Sequence, residues 1–544
     1  MSSEFDAVVV GGGHNGLVAA AYLAREGWQV CVLERNQEVG GCVATEELTL
    51  PGYRHDVMSS WHPLFHLSRA YAELGEELAG HGLSYLNTDE WTTASVAADG
   101  KTVLGHRDPA KSAEELSERD GAAYLAEIER FGSQIDLVGN LMGDELHSLR
   151  AFGTIAKLGR RLGRREGYRF GADMVASSRA WLESRFAGPE PAQLLAPWVL
   201  HTGLDPEAAG GGFLTLAIAA TPHAVGMPVV KGGSDGFAKA FRSLIESRGG
   251  TVRTGAEVER IVVRGGRVAA VRVGDEEIGA RRAVIANVTP TQLHGRLLES
   301  VPATAEEARE AAAYRYNRRS GMQVHIALEA PLRWRDERLD SVPIVHMSEG
   351  LDQVSLACAE AAAGLLPRRP TVVVGQPTAL DPSRVPEGAG LLWLQLQEVP
   401  RSPRGDAAGE IEVGEDGWTE ELTDAYVERL LDRIRPHVED LDGLRLQTVA
   451  LPPPALERRN PNLVGGDIYA GDAALDQSYF WRPLPGHGSH ATAVAGLYQC
   501  GASTYPGPGL NAASGRIAAK AALAAAEPSA AKRIRARLRA RLRG

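Results

Sequence analysis

The chain opens with alternating apolar and glycine-rich stretches that predict a strand, a helix and a second strand. Residues 7–10 form a continuous apolar run, as a buried parallel strand requires. Residues 17–26 are rich in Ala and Leu and stop at Gly27, which is typical of a helix with glycine after its C-terminus. Residues 29–33 then predict a second strand, so the chain begins with a βαβ unit.

Further along, the spacing of apolar residues changes twice. Between residues 86 and 227 they recur mainly at intervals of three and four, which predicts a largely helical region with its clearest helices at 112–131 and 170–186. Residues 251–263 and 267–273 alternate apolar with polar side chains around two glycines, which predicts a β-hairpin. The remaining predictions are strands at 282–287, 324–328, 371–374 and 391–397, and helices at 238–248 and 419–434.

A second glycine-rich stretch lies near the C-terminus. Residues 496–502 predict a strand that ends in glycine, residues 503–509 a loop rich in Gly and Pro, and residues 510–519 a helix. In such an arrangement backbone amides can bind a phosphate or an electron-rich ring, although an ordinary loop would have the same composition. Together with the glycine-rich turn that follows the first predicted strand, this stretch predicts one long cofactor that is held at both ends.

The N-terminal turn has the spacing Gly11-x-Gly13-x-x-Gly16, which is typical of a dinucleotide-binding site. Gly11 allows the tight turn, Gly13 lets the backbone approach the phosphates, and Gly16 lets the helix pack closely on the strand. Glu34 directly follows the second strand, where an acid accepts hydrogen bonds from ribose hydroxyls. The alternatives are a βαβ turn without a ligand and a solvated acid at a strand end.

Composition and charge narrow the function classes. At 544 residues the chain is too long for one core, and its net charge of −11 argues against nucleic acid as the main partner. The four cysteines form no C-x-x-C pair and no metal-ligand spacing, which argues against a dithiol reductase and against a metal site. Because residues 1–6 are polar and no apolar run reaches about 18 residues, we expect no signal peptide, no transmembrane helix and a cytoplasmic location.

The C-terminal tail differs electrically from the rest of the chain. Residues 532–543 carry seven basic side chains, and Ile534, Leu538 and Leu542 are spaced by four, as on one stripe of a helix. Two interpretations stay open, which are a peripheral contact with an anionic membrane surface and a solvated tail.

The two glycine turns, the hairpin and Ala286-Asn287 make the chain resemble the phytoene-desaturase-like branch of the FAD-dependent oxidoreductases. That branch includes carotenoid desaturases, retinol saturase and the pyridine nucleotide-disulphide oxidoreductase domain-containing group. The closest stretches are residues 465–486 and 496–507. The resemblance implies an α/β fold with a Rossmann-type FAD-binding domain, in the two-domain architecture of GDP-dissociation inhibitors and amine oxidases, with a mixed α+β substrate domain.

The resemblance also implies that FAD is bound without a covalent link. The first turn would bind the pyrophosphate, Glu34 and Arg35 the adenosine ribose, Val258 the adenine, and the late loop the ribityl chain and the flavin pyrimidine edge. The chain departs from the family pattern at Tyr505, where His is frequent, and at Pro508, where Gly is frequent. The complete set of implied FAD-binding residues is Gly11, Gly13, His14, Asn15, Gly16, Glu34, Arg35, Gly40, Gly41, Val258, Gly501, Gly509 and Leu510.

The same reasoning predicts how the chain divides into domains. We expect the ligand to lie where the FAD-binding and substrate domains meet, as pockets often do. The predicted segments are 1–85, 228–295 and 460–525 for a discontinuous FAD-binding domain, 86–227 and 296–459 for the substrate domain, and 526–544 for a basic tail.

The implied reaction is hydride transfer to flavin N5 from a C–H bond of a lipophilic or cyclic small molecule, which forms C=C or C=N. The electron acceptor stays open among oxygen, a quinone and another molecule. The candidate general bases are His62, His55 and Asp56 early in the chain, and Tyr505 and His487 late in the chain. Three alternatives stay open, namely a flavin amine oxidase, a non-redox binding protein like the GDP-dissociation inhibitors, and an enzyme with NAD as its sole cofactor, which would need no late glycine loop.

Overall fold

The computed structural model describes residues 4–299 and 301–527, and it contains two seven-stranded sheets. The basic stretch at 532–543, for which a membrane contact and a solvated tail both stay open, lies outside the described residues. In chain order the strands are β1 (Glu4–Val10), β2 (Val30–Leu33), β3 (Thr45–Glu46), β4 (His55–Asp56), β5 (Tyr85–Leu86), β6 (Trp91–Val96), β7 (Thr102–His106), β8 (Val229–Val230), β9 (Thr251–Arg253), β10 (Arg260–Arg264), β11 (Arg267–Val273), β12 (Glu276–Ala286), β13 (Arg319–Leu328), β14 (Ile344–Met347), β15 (Leu365–Leu366), β16 (Val372–Gly375), β17 (Gly390–Pro400), β18 (Gly405–Asp406), β19 (Arg445–Leu451) and β20 (Leu497–Gln499).

Helices cover the first sheet and form a separate layer beside the second. Within the described ranges, none of them has both the length and the apolar character needed to cross a membrane. In chain order they are α1 (His14–Arg25), α2 (Pro63–His66), α3 (Arg69–Gly80), α4 (Pro109–Glu114), α5 (Glu118–Gly132), α6 (Ile135–Met142), α7 (Leu149–Val175), α8 (Ser178–Arg185), α9 (Glu190–Leu200), α10 (Gly211–Val225), α11 (Asp235–Ser247), α12 (Pro290–Gln292), α13 (Ala305–Ala312), α14 (Leu351–Ala362), α15 (Glu420–Ile434), α16 (Leu441–Leu444), α17 (Pro453–Arg459) and α18 (Ala513–Ala526).

The N-terminal strand lies in the middle of the first sheet, whose order is β10-β11-β12-β1-β2-β9. β1 pairs in parallel with β2 and with β12, and β20 pairs in parallel with the second half of β12. Ala7, Val8 and Val9 are fully buried. Ala7 and Val9 pack against α1, α11 and α18 on one face of the sheet, and Val8 packs on the other face in an apolar cluster that includes residues of β10 and β11. The predicted βαβ unit and Rossmann-type fold are thus confirmed.

The predicted hairpin is confirmed only in its second half. β10 and β11 are antiparallel and turn at Gly265 and Gly266, with φ values of +58° and +74°. The single strand predicted over 251–263 is wrong, because β9 pairs in parallel with β2 and the chain then turns at Gly255, where φ is +63°. Val258 therefore lies in the connection between β9 and β10 and not within a hairpin strand.

The second sheet has the order β19-β13-β17-β16-β14-β6-β7 and is antiparallel except between β14 and β6. The prediction of a helical region from residue 86 is wrong for its first part, since β5, β6 and β7 precede the helices and β6 is rich in Trp, Thr and Val. The helices predicted at 112–131 and 170–186 each divide in two. The breaks come at Ser117 and Ser177, whose hydroxyls accept backbone hydrogen bonds from the first turn of the next helix.

Each sheet takes its strands from distant parts of the chain. The first sheet uses strands from residues 4–33, 251–286 and 497–499, and the second uses strands from 91–106 and 319–451. This arrangement places α18, the last helix of the described residues, directly against α1. The two glycine turns predicted from the sequence therefore lie side by side.

Candidate active site

A cavity of about 390 Å³ lies between the two sheets. Its first-sheet half lies at the carboxyl ends of β1 and β2, the edge at which open parallel sheets bind nucleotides. Its second-sheet half lies against β13, β14 and β17 and against α9 and α10. The first-sheet half is lined by residues that include Gly11, Gly13, His14, Asn15, Glu34, Arg35, Gly41, Val258, Asn287, Gly501, Gly509 and Leu510, and the second-sheet half by residues that include Trp61, Trp198, His201, Ile218, Thr221, Met227, Gln323, Ile344, Trp393, Gln395, Gln397 and Tyr469.

The first turn of α1 presents backbone N–H groups that no side chain caps. Gly13 is the N-cap residue, and the first turn contains no acidic side chain. Gly11 has a φ of +93°, and a Cβ atom at Gly16 would lie 2.1 Å from the carbonyl oxygen of Gly11, so glycine is required at both positions. An uncapped helix N-terminus beside a cavity favours an anionic ligand such as a diphosphate.

Glu34 is buried just after β2, and its carboxylate holds the glycine turn in place. Oε2 accepts a hydrogen bond from the backbone N–H of Gly12 at 2.8 Å, and Oε1 accepts one from that of Asn36 at 2.9 Å. Burial raises the pKa of Glu34 above its usual value, although these N–H groups act in the opposite direction. Both oxygens keep lone pairs for a further donor, such as a ribose hydroxyl.

The late glycine loop lies beside the first turn. Gly501 and Gly509 have φ values of +124° and +102°, which favour glycine. α18 begins at Ala513 and not at residue 510, so the loop is longer than the sequence predicts. Asn15 Oδ1 accepts a hydrogen bond from the backbone N–H of Gly515 at 3.0 Å and joins segments 500 residues apart.

The predicted cofactor-binding residues lie together. All of them except Gly16 and Gly40 line the cavity. Gly40 supports the turn from behind, since its N–H donates to the carbonyl oxygen of Gly12 at 2.9 Å. Sequence reasoning used Asn287 only as part of the family resemblance and missed it as a site residue, although its amide donates a hydrogen bond to the carbonyl oxygen of Gly11 at 3.3 Å. The individual roles of these residues in cofactor binding stay predictions.

Aromatic side chains wall the second-sheet half. The ring centroids of Trp61 and Trp393 lie 5.3 Å apart, and Trp198 packs in the same cluster. A Cβ atom at Gly375 would lie 2.5 Å from Trp61, so this glycine makes room for the tryptophan pair. The walls can therefore hold a flat or cyclic apolar body.

His201 is a titratable side chain of the second-sheet half that no pattern in the sequence indicated. Its Nε2 atom lies 3.2 Å from Nε2 of the buried His346 on β14. Burial lowers the pKa of His201 to about 4 and that of His346 well below its usual value, so both rings are neutral near neutral pH. The charged side chains that line the cavity all belong to the first-sheet half and are Glu34, Arg35, Glu257 and Arg296.

The early candidates for a general base lie behind the cavity wall. His62 and His55 are buried, and burial lowers their pKa values to about 3 and about 4. Nδ1 of His62 is 2.9 Å from the hydroxyl of Tyr85, and Nε2 of His55 is 2.8 Å from the hydroxyl of Thr49. Each ring is thus hydrogen-bonded through one nitrogen within the packed interior, and its other nitrogen, His62 Nε2 or His55 Nδ1, has no partner there.

The other three candidates for a general base also make contacts outside the cavity. Asp56 is buried and ion-paired with Arg384. Tyr505 is buried in a small apolar cluster, and burial raises the pKa of its hydroxyl. His487 lies 3.7 Å from Glu310, away from the cavity. Because none of the five candidates is among the residues that line the cavity, the geometry gives no support for a general-base role.

Comparisons with known proteins find relatives that align with nearly the whole chain. Residues 9–74 match the family model of an NAD(P)-binding Rossmann-like domain. The chain is 28% identical to pyridine nucleotide-disulfide oxidoreductase domain-containing protein 2 of Mus musculus, over 95% of this chain and 93% of that protein. It is 29% identical to hydroxyneurosporene desaturase of Rubrivivax gelatinosus, over 95% and 93% respectively. A solved oxidoreductase from Methanosarcina mazei shares the fold, with a TM-score of 0.60 and 16% identity over 95% of this chain and 99% of that one.

Proposed function

We propose that this chain, an oxidoreductase of the phytoene-desaturase-like family of FAD-dependent enzymes, holds FAD non-covalently along the cavity and dehydrogenates a small molecule in the second-sheet half. The observation that carries the proposal is the uncapped start of α1 facing the late glycine loop. A diphosphate fits the first turn, and the loop at Gly501 and Gly509, where φ is positive, brings glycine backbone to the cavity wall beside that turn.

Bound FAD would supply a two-electron acceptor, so that a substrate could give up a hydride and a neighbouring proton and gain a C=C or C=N bond. The chain contributes binding, orientation and exclusion of water. Trp61, Trp198 and Trp393 form apolar walls that hold the substrate away from solvent. His201 lines the same half as a neutral imidazole with His346 behind it, so its lowered pKa suits it to hydrogen-bond a substrate and not to hold the released proton.

Purified protein is expected to show the visible absorption of bound flavin, or to acquire it when FAD is added. Anaerobic mixing with a panel of polyenes, cyclic ketones and amines should bleach that absorption with a dehydrogenation substrate. Reoxidation by oxygen or by a quinone then identifies the electron acceptor. Bleaching by amines alone would favour an amine oxidase, and a folded protein that takes up no flavin would contradict the proposal and favour the non-redox binding function.

Glu34→Gln is expected to raise the dissociation constant for FAD by about tenfold to a hundredfold. The amide keeps one acceptor oxygen but places an NH₂ group toward a backbone N–H, and the charge-assisted hydrogen bonds to Gly12 and Asn36 are lost. Titration of the flavin-free protein with FAD measures the change. The matched control is Glu38→Gln, an exposed acid in the same loop that does not line the cavity and should leave the affinity unchanged. Equal affinities for both variants would contradict the assignment of Glu34.

A further inference from the structure

The second-sheet half contains buried polar atoms that have no hydrogen-bond partner within the protein. Gln323 is 0% exposed, and neither its amide nitrogen nor its amide oxygen is paired. The amide oxygen of Gln397 and the indole N–H groups of Trp61 and Trp393 are also unpaired. All four side chains line the cavity. Because burying a polar group without a partner is costly, such a cluster needs an external partner.

The strand register aims the glutamines at the cavity. Gln323 on β13 lies directly opposite Gln395 on β17, and Gln397 lies two residues further along β17 on the same face. Val324, which follows Gln323, and Leu396, which lies between Gln395 and Gln397, point to the other face, where they belong to the apolar core of the sheet. Three amides thus lie on one face of two adjacent strands. Burying apolar side chains at these positions would cost less free energy on folding.

This half of the cavity also lacks formal charge. No Asp, Glu, Lys or Arg of the described residues lines it, since the charged cavity side chains lie in the first-sheet half. An ammonium or a carboxylate bound there would lose its hydration without gaining a counter-ion. A pure hydrocarbon would leave the amides and the indole N–H groups unpaired.

We infer that the substrate is a neutral molecule with a flat or cyclic apolar body and at least one carbonyl, hydroxyl or amide group, which hydrogen-bonds to Gln323 and Gln397. The apolar body lies against Trp61 and Trp393, and the polar group fixes which C–H bond faces the flavin. This inference rests on the proposed function in taking the second-sheet half as the substrate site.

Four probes with one ring system test the inference, namely indane, 1-indanone, 1-aminoindane and indane-1-carboxylate. Their dissociation constants for the flavin-loaded protein are measured by equilibrium dialysis at neutral pH. We expect 1-indanone to bind about tenfold more tightly than indane, although indane is the more hydrophobic, and both charged probes to bind more weakly than 1-indanone. Tighter binding of indane, or of either charged probe, would overturn the inference.

Gln323→Leu removes the amide with little change in side-chain volume, and it should reduce the preference for 1-indanone over indane to about twofold or less. The matched control is Gln447→Leu on the exposed part of β19, which should keep the wild-type preference. An unchanged preference together with a shifted flavin spectrum in Gln323→Leu would assign the amide to the cofactor and overturn the inference. Dialysis reports probe binding whether or not flavin is present, so failure of flavin uptake contradicts the proposed function separately.

Discussion

Gly16→Ala is expected to weaken flavin binding and to lower the free energy of unfolding. The added Cβ atom would lie 2.1 Å from the carbonyl oxygen of Gly11, which is backbone and cannot rotate away. Relief of this clash must move the turn that carries the uncapped N–H groups of α1. Overpacking of this kind costs about 1–3 kcal/mol, and a loss of about 2 kcal/mol in binding corresponds to roughly a thirtyfold higher dissociation constant.

The matched control for this clash is Gly153→Ala in α7. A Cβ atom at Gly153 would meet no atom within 4 Å, so the substitution should be neutral or stabilise the helix by about 0.5–1 kcal/mol. Flavin absorption per protein and thermal unfolding are measured for both variants. Wild-type flavin content in Gly16→Ala would show that the turn does not hold the diphosphate.

The first-sheet half could be predicted from the sequence because its requirements are local. A glycine turn between an apolar strand and a helix dictates the geometry within about ten residues, and Glu34 follows at a fixed distance. The late loop was found for the same reason, through Gly501 and Gly509. Asn287 was missed because its contact with Gly11 depends on the parallel pairing of β1 with β12, which no local pattern specifies.

The second-sheet half could not be predicted because its residues meet only through long-range pairing. Gln323 and Gln395 lie on different strands and become neighbours through the register of β13 and β17. His201 and His346 are joined in the same way, from the end of α9 to β14. Asp56 was instead predicted as a general base from its residue type and its position early in the chain. Its ion-pair partner Arg384 is 328 residues away and could not be recognised from the sequence.

Arg384→Leu is expected to destabilise the protein by about 3–5 kcal/mol, the cost of removing one partner from a buried ion pair. The guanidinium is fully buried, pairs with Asp56, and donates to Asp381 Oδ2 at 3.1 Å and to the carbonyl oxygen of Val230 at 2.7 Å. Its removal leaves two buried carboxylates without their counter-ion. Chemical denaturation measures the loss, with Arg333→Leu as the control, since that side chain is 66% exposed and its pair with Asp340 is worth at most about 1 kcal/mol.

Asp56→Asn separates this structural role from the catalytic role that the sequence suggested. Burial alone would raise the pKa of Asp56, but Arg384 and hydrogen bonds from Ser234, Ser60 and Thr45 hold it below its usual value of 3.8. The ionised carboxylate therefore stabilises the fold above about that pH, and the contribution is lost as the pH falls below it through the folded-state pKa. The stability gap between wild type and Asp56→Asn should accordingly be full near neutral pH and shrink on acidification. A variant that keeps wild-type stability and flavin content but loses flavin reduction by substrate would instead establish Asp56 as the base.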